Sequence, residues 1–232
     1  AVVYSVTAVL YPKMTTELAE GNKEGYKSTL TGGIDSFVFL FLPATVGMVL
    51  VRNPLLNLIS GYGKMTAQDI DTAGIILALY SCAFVSIALK ELLDRAFFAD
   101  KQTKIPAVCG FITVITNIIF SQIAIRFIGA YGIPLAYTLS SFSACGFLLI
   151  KMRGKIGAYG KDSVKNLIVS AISALCMGVV VWLVNGFMPV IDGIIGRVIN
   201  LGVPVLAGVI VYAVCSIIFK NPIAMKVIKR GQ

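Results

Sequence analysis

The sequence predicts an all-α protein, a polytopic transmembrane helix bundle with six full spans behind a truncated first helix. Three observations carry that prediction. The stretches 36–51, 72–89, 105–125, 127–150, 166–191 and 198–219 contain no Asp, Glu, Lys or Arg, and a helix needs about 20 mainly apolar residues to cross the hydrocarbon core. The composition is 57% hydrophobic and 13% charged, with a mean hydropathy of +0.88, whereas soluble domains carry about 25% charged residues. The loops between the stretches carry Lys and Arg almost entirely on alternate sides.

The chain reads as one transmembrane domain, 1–232, with spans at 26–52, 69–98, 105–128, 132–152, 163–188 and 195–219. Ahead of them, residues 1–20 read as the second half of a helix whose start is missing, which makes the chain a fragment. Gly21-Asn22 breaks the charged stretch that follows, as expected of a short hairpin at the headgroups. The first full span contains Gly32, Gly33 and Pro43. Such residues are tolerated in lipid where neighbouring protein satisfies the freed backbone groups, so this helix is expected inside the bundle.

"RNPLLNLISGYGKMTAQD" holds many turn residues and is expected to end that helix. Thr66 and Asp69 have capping-box spacing and start the next one. Asp100, Lys101, Gln102 and Thr103 form a loop, and Pro106 falls in a first helical turn, where its missing N–H costs nothing. Gly129, Gly132 and Pro134 make a tight turn, and Ser163 is a cap for the penultimate span. The last two spans are apolar on nearly all faces, as lipid contact requires.

If the loops near 13–27, 90–104 and 151–165 and the tail from Lys220 share a side, that side carries 16 of the 20 Lys and Arg. Only Arg52, Lys64, Arg126 and Arg197 lie opposite. The positive-inside rule makes the rich side, and the C-terminus, cytoplasmic. The net charge of +9 is thus a matter of topology and not of nucleic-acid binding, which needs one basic stripe. Cys82, Cys109, Cys145, Cys176 and Cys215 all lie within spans without CxxC spacing, and the chain has no His. Disulfide frameworks, the usual zinc sets and His-based triads are therefore not expected, and no enzyme activity is.

Ionisable groups inside spans are functional candidates. Asp35 is the one acid well inside an apolar span, suited to gating or cation binding, or to a structural polar contact. Lys90, Glu91, Asp94 and Arg95 end the second full span, with Glu91 and Arg95 four apart and so on one face. They read either as a breakable gate or as a static interfacial salt bridge.

Three segments together resemble the MurJ/MviN lipid II flippase family, within the superfamily of polysaccharide-unit flippases and multidrug extruders. They are "RAFFADKQTKIPAV", "YGKMTAQDIDTAGIILALYS" and "GAYGIPLAYTLSSFSACGFLLIKMRGKIG"; the opening "VTAVLYPKMTTELAEGN" is similar to the end of the family's eighth helix. The chain departs from the pattern at Phe98, where Tyr is usual, at Lys101 and Gln102, which interrupt an Asp-Thr pair, and at Ile105, where Thr is usual. The resemblance implies the end of helix eight and helices nine to fourteen of a transporter with two six-helix lobes around a central cavity, this chain being the second lobe and two extra helices.

It further implies a flippase of the bacterial cytoplasmic membrane that carries undecaprenyl-pyrophosphate-linked peptidoglycan precursor by alternating access. Its partners would be lipid II, membrane lipids and the N-terminal lobe, with no nucleic acid. A polysaccharide-unit or multidrug exporter, or a non-transporting scaffold for wall synthesis, would share the topology. No cofactor is expected beyond a coupling Na+ or the membrane potential. In some members of the family, positions corresponding to Asn117, Ser121 and Thr138 help hold a sodium ion; ordinary interhelical hydrogen bonds are the other reading. The resemblance also implies that the last two spans form a groove for the polyprenyl tail; a simple lipid-facing role is the other reading.

Overall fold

The computed structural model describes residues 2–60, 66–157, 159–188 and 193–225. Their helices are α1 (Val2–Ala19), α2 (Lys23–Ser60), α3 (Ala67–Ser81), α4 (Phe84–Ala99), α5 (Lys104–Ile128), α6 (Gly132–Ile156), α7 (Lys161–Phe187) and α8 (Gly193–Ile218). Local chemistry sets several of these ends. Gly21 turns the chain at a φ of 73°, which glycine alone adopts freely, and Asn22 Oδ1 then accepts the Gly25 N–H at 2.8 Å, capping α2. Thr66 and Asp69 form the expected capping box of α3. A 3-10 turn at Gly129–Tyr131 folds α6 back along α5.

Contacts fix the helix directions. Tyr26 meets Ala96 and Asn53 meets Asp71, so α3 and α4 run antiparallel to α2. Asp35 meets Ser163 and Leu50 meets Asn185, so α7 runs parallel to it. Phe39 meets Tyr212, so α8 returns antiparallel. The α1–α2, α4–α5 and α6–α7 turns therefore share one end of the bundle. Among the described residues, only Arg52, Arg126 and Arg197 of the basic side chains lie toward the other.

The stretches Lys23–Ile59, Ala67–Ala99, Lys104–Ile156, Lys161–Phe187 and Gly193–Ile218 are long and apolar enough to cross a membrane, and Lys104–Ile156 is the α5–α6 hairpin. Large apolar side chains on α5, among them Phe111, Val114, Ile118 and Phe127, stand exposed. In water such a face would aggregate; it suits hydrocarbon. The chain is a multi-pass membrane protein.

Helix α2 is the spine. Its 38 residues make it about 57 Å long, and both buried clusters share it. One packs Leu30 and Phe37 with Met14, Leu92, Leu93, Phe97, Leu148 and Met152. The other packs Val51 with Ala174, Met177, Val181 and Tyr212.

Two sequence expectations are corrected here. The turn-rich stretch after Arg52 does not end α2, which continues through Pro54 to Ser60. A proline lacks the N–H that would bond the carbonyl four residues back, so Pro43 frees Phe39 O and Pro54 frees Leu50 O. Neighbours supply the missing donors: the Tyr212 hydroxyl donates to Phe39 O at 2.7 Å, and Asn185 Nδ2 donates to Leu50 O at 3.1 Å. The helix survives its prolines because α7 and α8 replace the lost bonds. A double-mutant cycle checks this. Asn185→Ala is expected to cost about 1 kcal/mol beside Pro54 and much less in a Pro54→Ala background, where the new N–H can bond Leu50 O; equal costs would contradict it.

The helix expected over 69–98 is interrupted at Cys82–Ala83, without proline or glycine, within the single spanning stretch Ala67–Ala99. There the Ala83 N–H donates to Tyr80 O at 3.0 Å, one residue short of the α-helical partner. Hydroxyls crowd the same turn, with Ser81 Oγ on Leu77 O and Ser86 Oγ on Ala83 O, and such bonds bend helices. Thr138 Oγ1, from α6, donates to Leu79 O at 2.6 Å and so satisfies the carbonyl that the break leaves.

Candidate functional site

The charged residues singled out from the sequence gather at the basic end. On α4, Lys90 Nζ lies 2.6 Å from Asp94 Oδ2 and Arg95 Nε 3.1 Å from Glu91 Oε1. Each pair spans one helical turn, so neither ties α4 to another helix. Asp94 is buried, and its Oδ1 has no hydrogen-bond partner among the described residues. An ion pair that does join helices was not foreseen: Lys155 of α6 bonds the Asp100 carboxylate at the end of α4. Beside it, Lys23, Tyr26 and Lys27 help line a cavity of about 320 Å³.

Asp35 is buried and held by α7. Ser163 Oγ donates to its carboxylate at 3.0 Å, and Asn166 Nδ2 donates to its backbone carbonyl at 2.9 Å. Ser163 is thus committed to Asp35 instead of capping α7, whose N-cap is Gly160, with no side-chain cap bond. From Asn166 the row continues inward. Ser170 Oγ donates to Asn166 Oδ1 at 3.3 Å, Asn221 Nδ2 donates to Ser170 Oγ at 3.0 Å, and Asn221 Oδ1 accepts the Ile223 N–H at 2.9 Å. Asn166, Ser170, Ser173 and Asn221 are fully buried.

This row corrects the expectation that the last two helices are apolar nearly all round. Helix α7 turns a polar stripe toward α2 and α8 and an apolar face outward, where Leu175, Val179 and Trp182 stand exposed. The signal was in the sequence: Ser163, Asn166, Ser170 and Ser173 recur every three or four residues, the spacing of one helix face. Small residues at that spacing let membrane helices approach and bond.

The three candidate cation ligands are not brought together. Asn117 Nδ2 donates to Ser140 Oγ at 3.3 Å, while Thr138 is committed to Leu79 O of α3. Residues 138 and 140 are about 200° apart around α6, so Thr138 and the residue that meets Asn117 face different neighbours. Ser121 stays on α5, one turn beyond Asn117. With neutral oxygens only and two separate faces, the three are not gathered into one cluster among the described residues. Among the described residues no group of three or more His, Cys, Asp or Glu is placed to hold a metal ion.

The model of a family described as lipid II flippase MurJ matches residues 2–198. The chain belongs to the lipid II flippase MurJ family.

Two curated MurJ relatives match along nearly the whole of this chain. A "Probable lipid II flippase MurJ" of Thermotoga maritima is 28% identical over 229 residues, covering 99% of this chain and 45% of the relative. A "Lipid II flippase MurJ" of Thermosipho africanus is 21% identical over 220 residues, covering 93% and 42%. A solved structure, "Lipid II flippase MurJ, inward closed conformation", superposes with a TM-score of 0.79 at 22% identity, covering 95% of this chain and 44% of that one, and so shares its fold. The chain spans less than half the length of these MurJ relatives.

The MurJ assignment gives the outward apolar faces a setting. Apolar surfaces on α1, α5 and α6 have no partner among the described residues. Exposed Tyr4 and Val9 of α1 are such surfaces.

Proposed function

We propose that this chain forms the second lobe of a lipid II flippase in the bacterial cytoplasmic membrane, a transport protein without covalent chemistry. Membership of the MurJ family over residues 2–198 carries the reading, and the segregation of basic loops to one end supports it. That end, with the C-terminus, is cytoplasmic by the positive-inside rule.

The physical task is to move a pyrophosphate and a large polar head through a layer where one charge costs roughly 3 kcal/mol or more. Alternating access removes most of that cost by rocking one bundle against another around a hydrated cavity. This chain supplies a stiff moving body. Its α2 spine is packed against α1, α4 and α6 on one side and hydrogen-bonded to α7 and α8 on the other, so the described helices tilt together. Glu91 and Arg95 sit partly exposed on α4 and are the groups that an N-terminal lobe would engage as an inner gate.

Sodium ions or the membrane potential would drive the cycle. If Asn117, Ser121 and Thr138 take part in ion coupling, replacing all three removes any sodium-dependent stabilisation; unchanged sodium dependence excludes them.

The full-length protein is expected to restore growth when the resident lipid II flippase of a bacterium is depleted, and to fail when its central cavity is blocked by a bulky modification. Restoration with the cavity blocked would mean a scaffold; no restoration by a folded, membrane-inserted protein would contradict the flippase reading.

A further inference from the structure

At the basic end, the α1–α2 turn and the ends of α4 and α6 enclose a cavity of about 320 Å³ to which the transport reading gives no role. We propose that it binds a phosphate monoester group.

Segments far apart in sequence bring three lysines to it, Lys23 and Lys27 from α2 and Lys155 from α6. Lys155 is engaged by Asp100; that pair is neutral as a unit and fixes one wall. Lys23 and Lys27 stand one helical turn apart and so share a face of α2. Ion pairs among the described residues form at Lys13, Lys90, Arg95 and Lys155, and neither Lys23 nor Lys27 has one. The Tyr26 hydroxyl donates to Ala96 O at 3.1 Å and holds the start of α2 against α4. Leu18 and Ile156 give the lining its apolar part. Its second acid, Glu24, is exposed, where salt and water screen it.

Charge and donor count select the ligand. A phosphate monoester carries a charge of about −2 and three acceptor oxygens, which two ammonium groups can neutralise and divide between them. A carboxylate or a phosphate diester carries a single charge and leaves one of the two lysines unmatched. Lysine suits the task as a point charge on a flexible stem, meeting phosphate oxygens without the fixed fork of arginine. The volume falls within the roughly 300–1,000 Å³ of small-molecule sites, so the group can be carried by a lipid headgroup at this end of the bundle or by a soluble compound. Bound there, it holds the start of α2 in place, and occupancy is read as a rise in unfolding temperature.

The test titrates the purified protein, in neutral detergent and phosphate-free buffer, with phosphatidic acid, glycerol 3-phosphate, phosphatidylglycerol and acetate. It reads the shift in unfolding temperature and, for the lipids, adducts by native mass spectrometry. Saturable binding of one or both monoesters is expected, about tenfold tighter than the diester or acetate; which monoester binds identifies the source as lipid or soluble compound. Lys23→Gln and Lys27→Gln should each weaken it about tenfold, and Asp100→Asn, which frees Lys155, should tighten it. Lys161→Gln removes an exposed charge at the same end but outside the lining and should leave binding unchanged. Because Lys23 is exposed, its variant still tests the site should Lys27→Gln fold poorly. Binding of neither monoester, equal binding of the diester or acetate, equal loss in Lys161→Gln, weakening in a folded Asp100→Asn, or full binding by a folded Lys23→Gln would each overturn the proposal. None of these readouts depends on flipping, so failure here leaves the transport reading standing.

Discussion

Gly132→Ala is expected to destabilise the protein by about 3 kcal/mol, lowering the apparent unfolding temperature by about 8 °C. A β-carbon at this position would lie 2.6 Å from the carbonyl carbon of Ala124 and from the amide nitrogen of Ile125. Both are backbone atoms of α5, so no side chain can swing aside, and the hairpin itself must open. Opening it shifts the register in which Asn117 meets Ser140 and Cys109 meets the Ala144 carbonyl. Gly146→Ala is the control: it lies in the same helix with nothing within 4 Å of the added carbon, and is expected to be neutral or to stabilise by about 0.5 kcal/mol. Equal behaviour of the two variants in thermal unfolding would contradict the close approach of α5 and α6.

Asn166→Leu is the second large effect, expected to cost about 2 kcal/mol. The side chain is fully buried, donates to the Asp35 carbonyl and accepts from Ser170, and leucine keeps its size while removing both bonds. In lipid there is little hydrophobic drive between helices, so packing and hydrogen bonds carry helix association, and losing this pair loosens α7 from α2. Leu167→Ala, one residue along on the exposed face, should change stability by less than about 0.5 kcal/mol. Because Asn166 and Ser170 act in one row, Asn166→Leu combined with Ser170→Ala should cost less than the sum of the two. Additive losses would mean that the row is two independent contacts.

What the sequence disclosed and what it withheld divide along physical lines. Long apolar runs are a strong signal because the bilayer imposes length and forbids charge. The capping box at Thr66 and Asp69 and the Gly129–Gly132 turn were equally legible, being local chemistry. The continuation of α2 through Pro54 was not, because the donor that replaces the lost bond is Asn185, far away in sequence. The break at Cys82–Ala83 was hidden for the same reason: Thr138 makes it tolerable, and no proline or glycine announces it.

The candidate site follows the same rule. Glu91 and Arg95 were placed on one face by spacing alone, and they do pair. The partner of Asp35, by contrast, lies on α7, and its identification needed the packing of α7 against α2. Thr138 was singled out as a candidate cation ligand or an interhelical hydrogen-bonding group, and its hydroxyl donates to the Leu79 carbonyl of α3.

The transport reading needs a chain that alternates across the membrane with its basic end in the cytoplasm, and single-cysteine accessibility tests that most directly. Glu24→Cys and Lys104→Cys mark the basic end, and Ala67→Cys and Ala130→Cys the other; all four sites are exposed. With a membrane-impermeant thiol reagent on intact cells, and the parent protein as background for its own cysteines, labelling is expected at 67 and 130 at once and at 24 and 104 only after permeabilisation. Labelling of 24 or 104 in intact cells, or all four sites behaving alike, would contradict the topology and the transport reading built on it.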